Sequence, residues 1–265
     1  MQRLSNRTCV VTGAVRGIGL AIATALHREG ANVVFADLDA GVPDVARAVA
    51  DEVRLNNGAK TLGVAVDVTV RGQMAGLMAK TAETFGAVNV VFNNAGINKP
   101  MKFLDVTEDN FNLIMKVNAL GVLIGTQEAA KQMIHQGAGG KIINTASIAS
   151  RQGFDNVASY CASKFAVVAI TQAAARALAK SKITVNGFAP GVVRTPLWEQ
   201  LDKDLMDLGT SQRPGQAIEE FSSGILVGRP AMPDDITGTT TFLASSDSDY
   251  MTGQIVMIDG GMVLV

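Results

Sequence analysis

Cysteine, histidine, charge and long apolar runs are all scarce in this sequence. The two cysteines, Cys9 and Cys161, and the two histidines, His27 and His135, lie far apart, so we predict neither a disulfide framework nor a metal site. The chain has 23 basic and 24 acidic residues, and its net charge of -1 gives no general attraction to nucleic acid or to an anionic membrane. We find neither a signal-peptide core nor an apolar stretch near the length of a membrane-spanning helix, which predicts a cytoplasmic protein.

Seven short apolar segments alternate with helical patterns along the chain. They are rich in β-branched residues and bounded by Gly, Asn or Asp, which is typical of strands buried on both faces of a sheet. The predicted strands are Cys9–Val11, Asn32–Ala36, Leu62–Val66, Val88–Phe92, Lys141–Asn144, Ile183–Phe188 and Ile255–Ile258. Because strands alternate with helices, we predict an α/β fold with one doubly wound (Rossmann-like), seven-stranded parallel sheet and helices on both faces.

The helical segments lie between these strands. They are predicted at Ile18–Glu29, from about Pro43, at Arg71–Phe85, at Thr107–Gln136 and at Phe165–Ala179. The chain is 48% apolar and has neither an internal repeat nor a linker, so residues 1–265 are predicted to form one domain. Residues 196–230 have mixed charge, Gly, Ser and Pro, and we expect either a substrate-covering segment or a packed pair of surface helices there.

A glycine-rich turn joins the first strand to the first helix. It contains Gly13, Gly17 and Gly19, and such glycines let the backbone approach a pyrophosphate that the helix N-terminus attracts. The spacing Gly-x3-Gly-x-Gly differs from the commoner Gly-x-Gly-x-x-Gly. We predict that a dinucleotide binds this turn, including Arg16 and Ile18; a tight turn without a ligand is the alternative.

Asp37 indicates which dinucleotide binds. It follows the second strand, 18 residues after Gly19, close to the offset of about 20 residues expected for a carboxylate on the adenosine ribose. Its charge would repel a 2′-phosphate, which favours NAD over NADP, whereas the guanidinium of Arg16 could contact that phosphate. We predict NAD because Asp37 would lie at the ribose itself; a residue that only solvates the strand end is the alternative.

Two further strand ends fit the same crevice. Asp67 and Val68 end the third strand, where they could meet the adenine amino group and cover the ring. Asn94, Ala95 and Gly96 follow the fourth strand, at the carboxyl edge where doubly wound folds bind ligands. Small and amide residues can line a crevice without filling it, although a turn held by side-chain amides is the alternative.

Tyr160 and Lys164 form the candidate catalytic pair. They lie four residues apart at the start of an alanine-rich helical segment, so one helical face carries both. A close ammonium and an oxidised nicotinamide would lower the phenol pKa from near 10 by roughly one to three units, which would make Tyr160 a general acid/base. Ser147 follows the fifth strand, 13 residues before Tyr160, and could hold the substrate oxygen.

These motifs together resemble those of the short-chain dehydrogenase/reductase family. The resemblance covers essentially the whole chain and is carried by Thr12-Gly13-x3-Gly17-Ile18-Gly19, Asn93-Asn94-Ala95-Gly96, Ser147 and Tyr160-x3-Lys164. It implies one dinucleotide-binding and catalytic domain, hydride transfer between an alcohol and NAD, and a fourth catalytic residue, Asn118, whose backbone carbonyl holds a water linked to Lys164. The family also places Lys164, beside Tyr160, on the nicotinamide ribose. A segment that would clamp the carboxamide contains Pro190, Gly191, Val193 and Thr195.

The substrate is less well defined by these residues. Phe154 and Trp198 are predicted to line the pocket with Ser147, and a role for Trp198 as an anchor of the following segment stays open. Residues 247–262 resemble the branch of polyol (sugar alcohol) and acetoin/2,3-butanediol dehydrogenases. We therefore predict a small polyol substrate, with acetoin or 2,3-butanediol as the alternative. A 3-oxoacyl reductase, which Asp37 disfavours, and a cofactor-binding protein without turnover are further alternatives.

The segment Phe165–Ala179 is apolar on more than the face that one sheet needs. This breadth predicts an interface between subunits. Members of the family are commonly tetramers, so the resemblance implies a homotetramer.

Overall fold

Parallel strands form the centre of the structure. A computed structural model describes residues 2–53 and 58–264. The strands are β1 (Thr8–Thr12), β2 (Asn32–Asp37), β3 (Thr61–Ala65), β4 (Val90–Asn93), β5 (Gly140–Thr145), β6 (Ile183–Pro190) and β7 (Ile255–Ile258). They pair in the order β3-β2-β1-β4-β5-β6-β7, all parallel. The strand order reverses between β1 and β4, and ligands of doubly wound folds bind at such a reversal.

Helices cover both faces of this sheet. They are α1 (Gly17–Arg28), α2 (Val42–Glu52), α3 (Arg71–Phe85), α4 (Glu108–Met115), α5 (Gly121–Gln136), α6 (Ala158–Leu178), α7 (Pro196–Asp207), α8 (Gln216–Ser222) and α9 (Pro233–Ala244). Helices α1, α2 and α9 contribute to the apolar cluster on one face, and α3, α5 and α6 contribute to the cluster on the other. Each of these six helices therefore buries its apolar side against the sheet.

Adjacent residues of one strand point into different clusters. On β1, Val11 faces the side of α1 while Val10 faces the side of α3, and on β4 Phe92 and Val91 divide in the same way. All four side chains are fully buried. This burial on both faces explains the continuous apolar runs, and each large side chain contributes about 1.5–3 kcal/mol to stability.

The structure confirms the predicted α/β fold and each of the predicted strands, whose bounds differ from the prediction by at most two residues. The predicted single helix Thr107–Gln136 is interrupted, because Lys116–Leu120 forms a π-helical turn between α4 and α5. The prediction that no stretch reaches the length of a membrane span is wrong for Asp155–Ser181, which is long and apolar enough by length and composition. This stretch contains α6, which packs on β6 and carries the buried Lys164.

Residues 196–230 contain the predicted pair of surface helices. α7 and α8 pack against each other through Leu201, Leu205 and Ala217. Asp202 fixes their arrangement because its carboxylate accepts hydrogen bonds from the Gly215 amide at 2.6 Å and from the Ala217 amide at 3.2 Å. An acidic side chain at a helix N-terminus is the favoured charge there.

A buried polar network crosses the sheet beneath its carboxyl edge. Asn93 Nδ2 on β4 donates to Asn144 Oδ1 on β5 at 2.9 Å and to Thr126 Oγ1 on α5 at 3.2 Å. Asn144 Nδ2 in turn donates to Thr171 Oγ1 on α6 at 2.9 Å. α5 comes close enough for these bonds because Gly125 has no side chain: a Cβ there would overlap Asn93 Oδ1. The network joins two strands to the helix that carries Tyr160 and Lys164.

Gly125→Ala is expected to lower the free energy of unfolding by about 2 kcal/mol, because the added methyl group overpacks the site and displaces a buried amide. Thermal or denaturant unfolding at one fixed protein concentration measures the change. Gly76→Ala on α3 is the matched variant, since a Cβ there meets nothing within 4 Å. It should raise stability by about 0.5–1 kcal/mol. Equal losses in the two variants would contradict the overlap argument.

Candidate active site

The glycine turn between β1 and α1 is packed too tightly for side chains. A Cβ at Gly19 would overlap the Gly13 carbonyl oxygen, and one at Gly13 would lie 2.8 Å from Ala95 Cα. Gly13 and Gly17 have φ values of +66° and +59°, in the left-handed region that favours glycine. No side chain caps α1 at Arg16, so the amides of its first turn can bind an anion. The turn therefore fits a pyrophosphate.

Asp37 is hydrogen-bonded to this turn from the end of β2. Its Oδ2 accepts from the Val15 amide at 3.0 Å, and its Oδ1 accepts from the Asp39 amide at 3.1 Å. A carboxylate has about four lone-pair positions, so further acceptor capacity remains for the hydroxyls of a ribose. The Arg16 side chain is exposed at the same turn, while Ile18 is half-buried and packs on the core. Asp37, which is predicted to favour NAD, and Arg16, which could contact the 2′-phosphate of NADP, thus lie close to the same turn.

Asp67 and Val68 lie just beyond β3, and both are half-buried. Asp67 Oδ1 accepts from the Thr69 amide at 2.8 Å, which orders the loop. Val68 packs at the start of α5, where a Cβ at Gly121 would lie 3.0 Å from Val68 Cγ2. Their contacts with an adenine ring stay predictions.

The Asn94–Gly96 strand end is bonded to β1 and to the glycine turn. Asn94 Nδ2 donates to the carbonyl oxygens of Thr12 at 3.0 Å and Gly13 at 3.3 Å. Thr12 Oγ1 accepts from the amides of Asn94 at 2.9 Å and Ala95 at 3.1 Å. The amide therefore holds two strand ends together, and Gly96 leaves space beside Asn118, where a Cβ would lie 3.3 Å from Oδ1.

The segment from Pro190 to Thr195 leaves β6 and reaches the glycine turn. The Gly191 amide donates to the Ile258 carbonyl of β7 at 3.0 Å, and Val193 forms a parallel bridge with Ala231. Thr195 precedes the first residue of α7, and a Cβ at Gly17 would lie 3.4 Å from Thr195 Cγ2. The predicted clamp thus lies next to the predicted pyrophosphate site.

Tyr160 and Lys164 lie on the first turns of α6. Lys164 is buried, and its Nζ donates to the Thr145 carbonyl oxygen at the end of β5 at 2.8 Å. The same Nζ lies 5.5 Å from the centroid of the Tyr160 ring. Ser147, two residues beyond β5, is buried and lines the same pocket as Tyr160. The strand end and the helix thus bring the three predicted catalytic side chains together.

Burial controls the protonation of this pair. It raises the pKa of Tyr160 to about 12, against the smaller lowering effect of the Ser147 hydroxyl. It also lowers the pKa of Lys164 to about 8, because a buried ammonium loses its hydration. The predicted lowering of the Tyr160 pKa by Lys164 and an oxidised nicotinamide stays a prediction, because burial is the largest effect among the protein's own groups.

Asn118 lies in the π-helical turn, fully buried. Its Oδ1 accepts from the Ile97 amide at 2.9 Å, and its Nδ2 donates to the Ile97 carbonyl oxygen at 2.9 Å and to Ser163 Oγ at 3.1 Å. The side chain thus joins the loop after β4 to α6. A π turn contains one more residue than an α turn, which displaces a backbone carbonyl from its usual amide partner.

A pocket opens beside Ser147 and Tyr160, under α7 and α8. The predicted Phe154 and Trp198 both line it, and each packs against Phe221, with ring centroids 5.7 and 5.5 Å apart respectively. The other lining residues are Asn98, Ile148, Ala149, Asp155, Asn156, Val157, Gly191, Leu197, Leu201 and Leu205. Among the residues that the structure describes, no three His, Cys, Asp or Glu side chains come together as a metal site.

Sequence reasoning missed several of these lining residues. Leu197, Leu201 and Leu205 are spaced by four, so the pattern that predicts one apolar face of a helix could have found them. Phe221 and Asn98 carried no such signal, because only the fold brings them to Ser147.

A family model described as enoyl-(acyl carrier protein) reductase matches residues 13–263. The chain is 40% identical to an L-2,3-butanediol dehydrogenase of Corynebacterium glutamicum over 260 residues, 97% of this chain and 99% of that one. It is 39% identical to a galactitol 2-dehydrogenase of Agrobacterium fabrum over 259 residues, 98% of each. The crystal structure of a short-chain type dehydrogenase/reductase from Mycobacterium marinum matches with a TM-score of 0.86 and 36% identity, covering 99% of this chain and 97% of that one.

Lys164→Met is expected to change how stability depends on pH. The lowered pKa means that the unfolded state binds more protons than the folded state between about pH 8 and 10.5, so wild-type stability rises with pH in that window. Between about pH 7 and pH 9.5 the wild type should gain about 2 kcal/mol relative to the variant. Denaturant unfolding of both proteins at the two pH values measures this. Parallel pH profiles would contradict a buried, destabilised ammonium.

Proposed function

The chain belongs to the short-chain dehydrogenase/reductase family, and on that premise we propose that it is an NAD(H)-dependent oxidoreductase that interconverts a secondary alcohol and a ketone. One observation carries the proposal: Ser147 and Tyr160 line one pocket, and the buried Lys164 lies beside the Tyr160 ring. The same edge of the sheet holds the glycine turn and Asp37, which fit a dinucleotide.

The proposed mechanism assigns proton handling to the chain's own residues. Ser147 and Tyr160 hold the substrate oxygen by hydrogen bonds, and Tyr160 exchanges a proton with it. The positive charge of Lys164 opposes the desolvation of the phenolate, and its hydrogen bond to the Thr145 carbonyl fixes its position. The backbone carbonyl of Asn118 holds a water that continues the proton path, for which the π turn offers a displaced carbonyl. When bound, the nicotinamide supplies the hydride acceptor or donor.

The residues proposed to hold NAD surround the reversal between β1 and β4. Asp37 supports NAD over NADP, because its carboxylate lies beside the turn and would repel a 2′-phosphate. The proposed set is Gly13, Arg16, Gly17, Ile18, Gly19, Asp37, Asp67, Val68, Asn94, Ala95, Gly96, Tyr160, Lys164, Pro190, Gly191, Val193 and Thr195.

We propose a small polyol as the substrate, such as a sugar alcohol, which the likeness to galactitol 2-dehydrogenase supports. Acetoin or 2,3-butanediol is the second candidate, favoured by the apolar lining that Phe154, Trp198 and Phe221 give the pocket. In either case α7 and α8 act as the cover of the pocket within one catalytic domain of residues 1–265. A 3-oxoacyl reductase has less support, since none of the described residues that line this pocket is basic.

We further propose a cytoplasmic homotetramer. Both cysteines are buried free thiols, and burial raises the pKa of Cys9 to about 12 and that of Cys161 as well, as suits structural thiols in a reducing compartment. Large apolar side chains are exposed on α4, the π turn and α6, which pack against each other. They include Phe111, Leu113 and Phe165. Such exposure on neighbouring helices is typical of a subunit interface.

The first test follows absorbance of the reduced cofactor while the purified protein is offered sorbitol, mannitol, galactitol, xylitol, arabinitol, 2,3-butanediol stereoisomers and simple secondary alcohols. Each is tried with NAD and with NADP. We expect turnover of a polyol or diol with NAD. Turnover with NADP alone would mean that Arg16 determines the cofactor preference more strongly than Asp37 does. No turnover with either cofactor would favour a 3-oxoacyl reductase or a cofactor-binding protein without turnover.

Tyr160→Phe is the matched variant for this assay. It should bind NAD nearly as the wild type does, since only one hydroxyl is lost, and turn over at least about 100-fold more slowly. Cofactor binding is measured separately by titration. A variant that keeps most of its activity would remove Tyr160 from the acid/base role.

Sedimentation is expected to give a mass four times that of the 27.7 kDa chain. Leu113→Glu should dissociate the assembly, because a buried unpaired carboxylate in an apolar interface is costly. Val70→Glu is the matched change, since Val70 and Leu113 are 42% and 44% exposed. It should leave the mass unchanged. A wild-type mass of one chain would contradict the proposed tetramer.

A further inference from the structure

Asn98 has an amide oxygen without a partner beside the catalytic residues. Among the described residues, three buried side-chain polar atoms lack a hydrogen-bond partner: Asn98 Oδ1, Arg151 Nε and Ser222 Oγ. Of these three residues, Asn98 is the one that lines the pocket with Ser147 and Tyr160. An unsatisfied buried acceptor costs about 1–3 kcal/mol, so a donor that reaches it gains binding energy. The position favours a donor that the substrate brings.

The backbone on both sides of Asn98 is held in place. The amide and carbonyl of Ile97 both bond to the Asn118 side chain at 2.9 Å. The carbonyl oxygen of Lys99 accepts from Asn110 Nδ2 on α4 at 3.0 Å. Because these amides fix the residues before and after it, Asn98 is positioned before any ligand binds, which lowers the entropic cost of a contact.

The other polar side chains of the pocket are less suited than Asn98 to bind a second substrate oxygen. Ser147 and Tyr160 hold the reacting oxygen under the proposed function. Asp155 is exposed, and its Oδ1 accepts from the Asn156 amide at 2.9 Å. Asn156 and Trp198 also line the pocket, and neither has a buried side-chain polar atom that lacks a partner. The other lining residues are apolar, from Ile148 to Phe221. A second substrate oxygen near the reacting one therefore finds its best partner in Asn98.

We propose that Asn98 binds the oxygen on the carbon next to the reacting carbinol and so selects substrates with oxygens on adjacent carbons. A primary amide both donates and accepts, and rotation about its Cβ–Cγ bond exchanges the two atoms. It can thus bind a neighbouring hydroxyl in a diol or polyol and a neighbouring carbonyl in a diketone. This inference rests on the proposed alcohol–ketone chemistry and assigns Asn98 a role in specificity, with no part in proton transfer.

The experiment compares kcat/KM for two classes of alcohol in the wild type, Asn98→Ala and Asn98→Asp. The vicinal substrates are 2,3-butanediol stereoisomers, sorbitol and galactitol, and the single alcohols are 2-butanol and 2-pentanol. Asn98→Ala should lower kcat/KM about 10- to 100-fold for whichever vicinal substrate the wild type oxidises. For the single alcohols, kcat/KM should change less than about 3-fold. Asn98→Asp, which keeps an acceptor of the same shape, should restore part of the preference.

The selectivity ratio is kcat/KM for the vicinal substrates divided by kcat/KM for the single alcohols, and it separates a role in specificity from a structural role. Loss of kcat/KM on both classes by the same factor, or on neither, overturns the proposal, as does a wild type that oxidises 2-butanol as efficiently as every vicinal substrate. Thermal unfolding of each variant shows whether it is folded; if Asn98→Ala is not, Asn98→Ser provides the same comparison. A wild type that oxidises no alcohol with either cofactor defeats the proposed function, whereas an active wild type with an unchanged ratio defeats only the role of Asn98.

Discussion

The hydrogen bond from the buried Lys164 ammonium to the Thr145 carbonyl is the interaction on which the site depends. Burial lowers the pKa of this lysine to about 8, so its charge is a cost that the surrounding structure must offset. The polar network below it does so by fixing both partners, since Asn144 precedes Thr145 on β5 and bonds to Thr171, two helical turns beyond Lys164 on α6. Stability is thereby exchanged for a charge beside Tyr160, where the proposed mechanism needs it.

A second constraint couples the two halves of the site. Asn94 binds the carbonyls of Thr12 and Gly13, and its Oδ1 accepts from Thr145 Oγ1 at 3.3 Å. One amide therefore connects the predicted pyrophosphate turn to the strand end that holds Lys164. Close backbone packing maintains this connection, because no room exists for a Cβ at Gly19. Movement of the turn would consequently move the strand end to which Lys164 is hydrogen-bonded.

Local signals predicted the strands and the shared helical face of Tyr160 and Lys164. The position of Asn98 and the solvation of the site depend on long-range contacts. The apolar runs placed every strand within two residues, and the four-residue spacing put Tyr160 and Lys164 on one helical face. The sequence did not reveal Asn98, whose loop is fixed by Asn118, some twenty residues away along the chain. Nor did it reveal that burial raises the Tyr160 pKa, since desolvation depends on what packs around the ring. Neighbouring residues encode periodicity, whereas solvation is set by the fold.

The π turn at Lys116–Leu120 has a consequence for how this chain can vary in length. Each residue of a helix turns it by about 100°, so deleting the extra residue would rotate α4 by that angle relative to α5. Asn110 on α4 would then face away from the Lys99 carbonyl and from Ser159, whose Oγ donates to it at 2.8 Å. The two helices are continuous in sequence yet out of phase by one residue, so a single-residue insertion or deletion between Asn110 and Thr126 would break the bonds of Asn110.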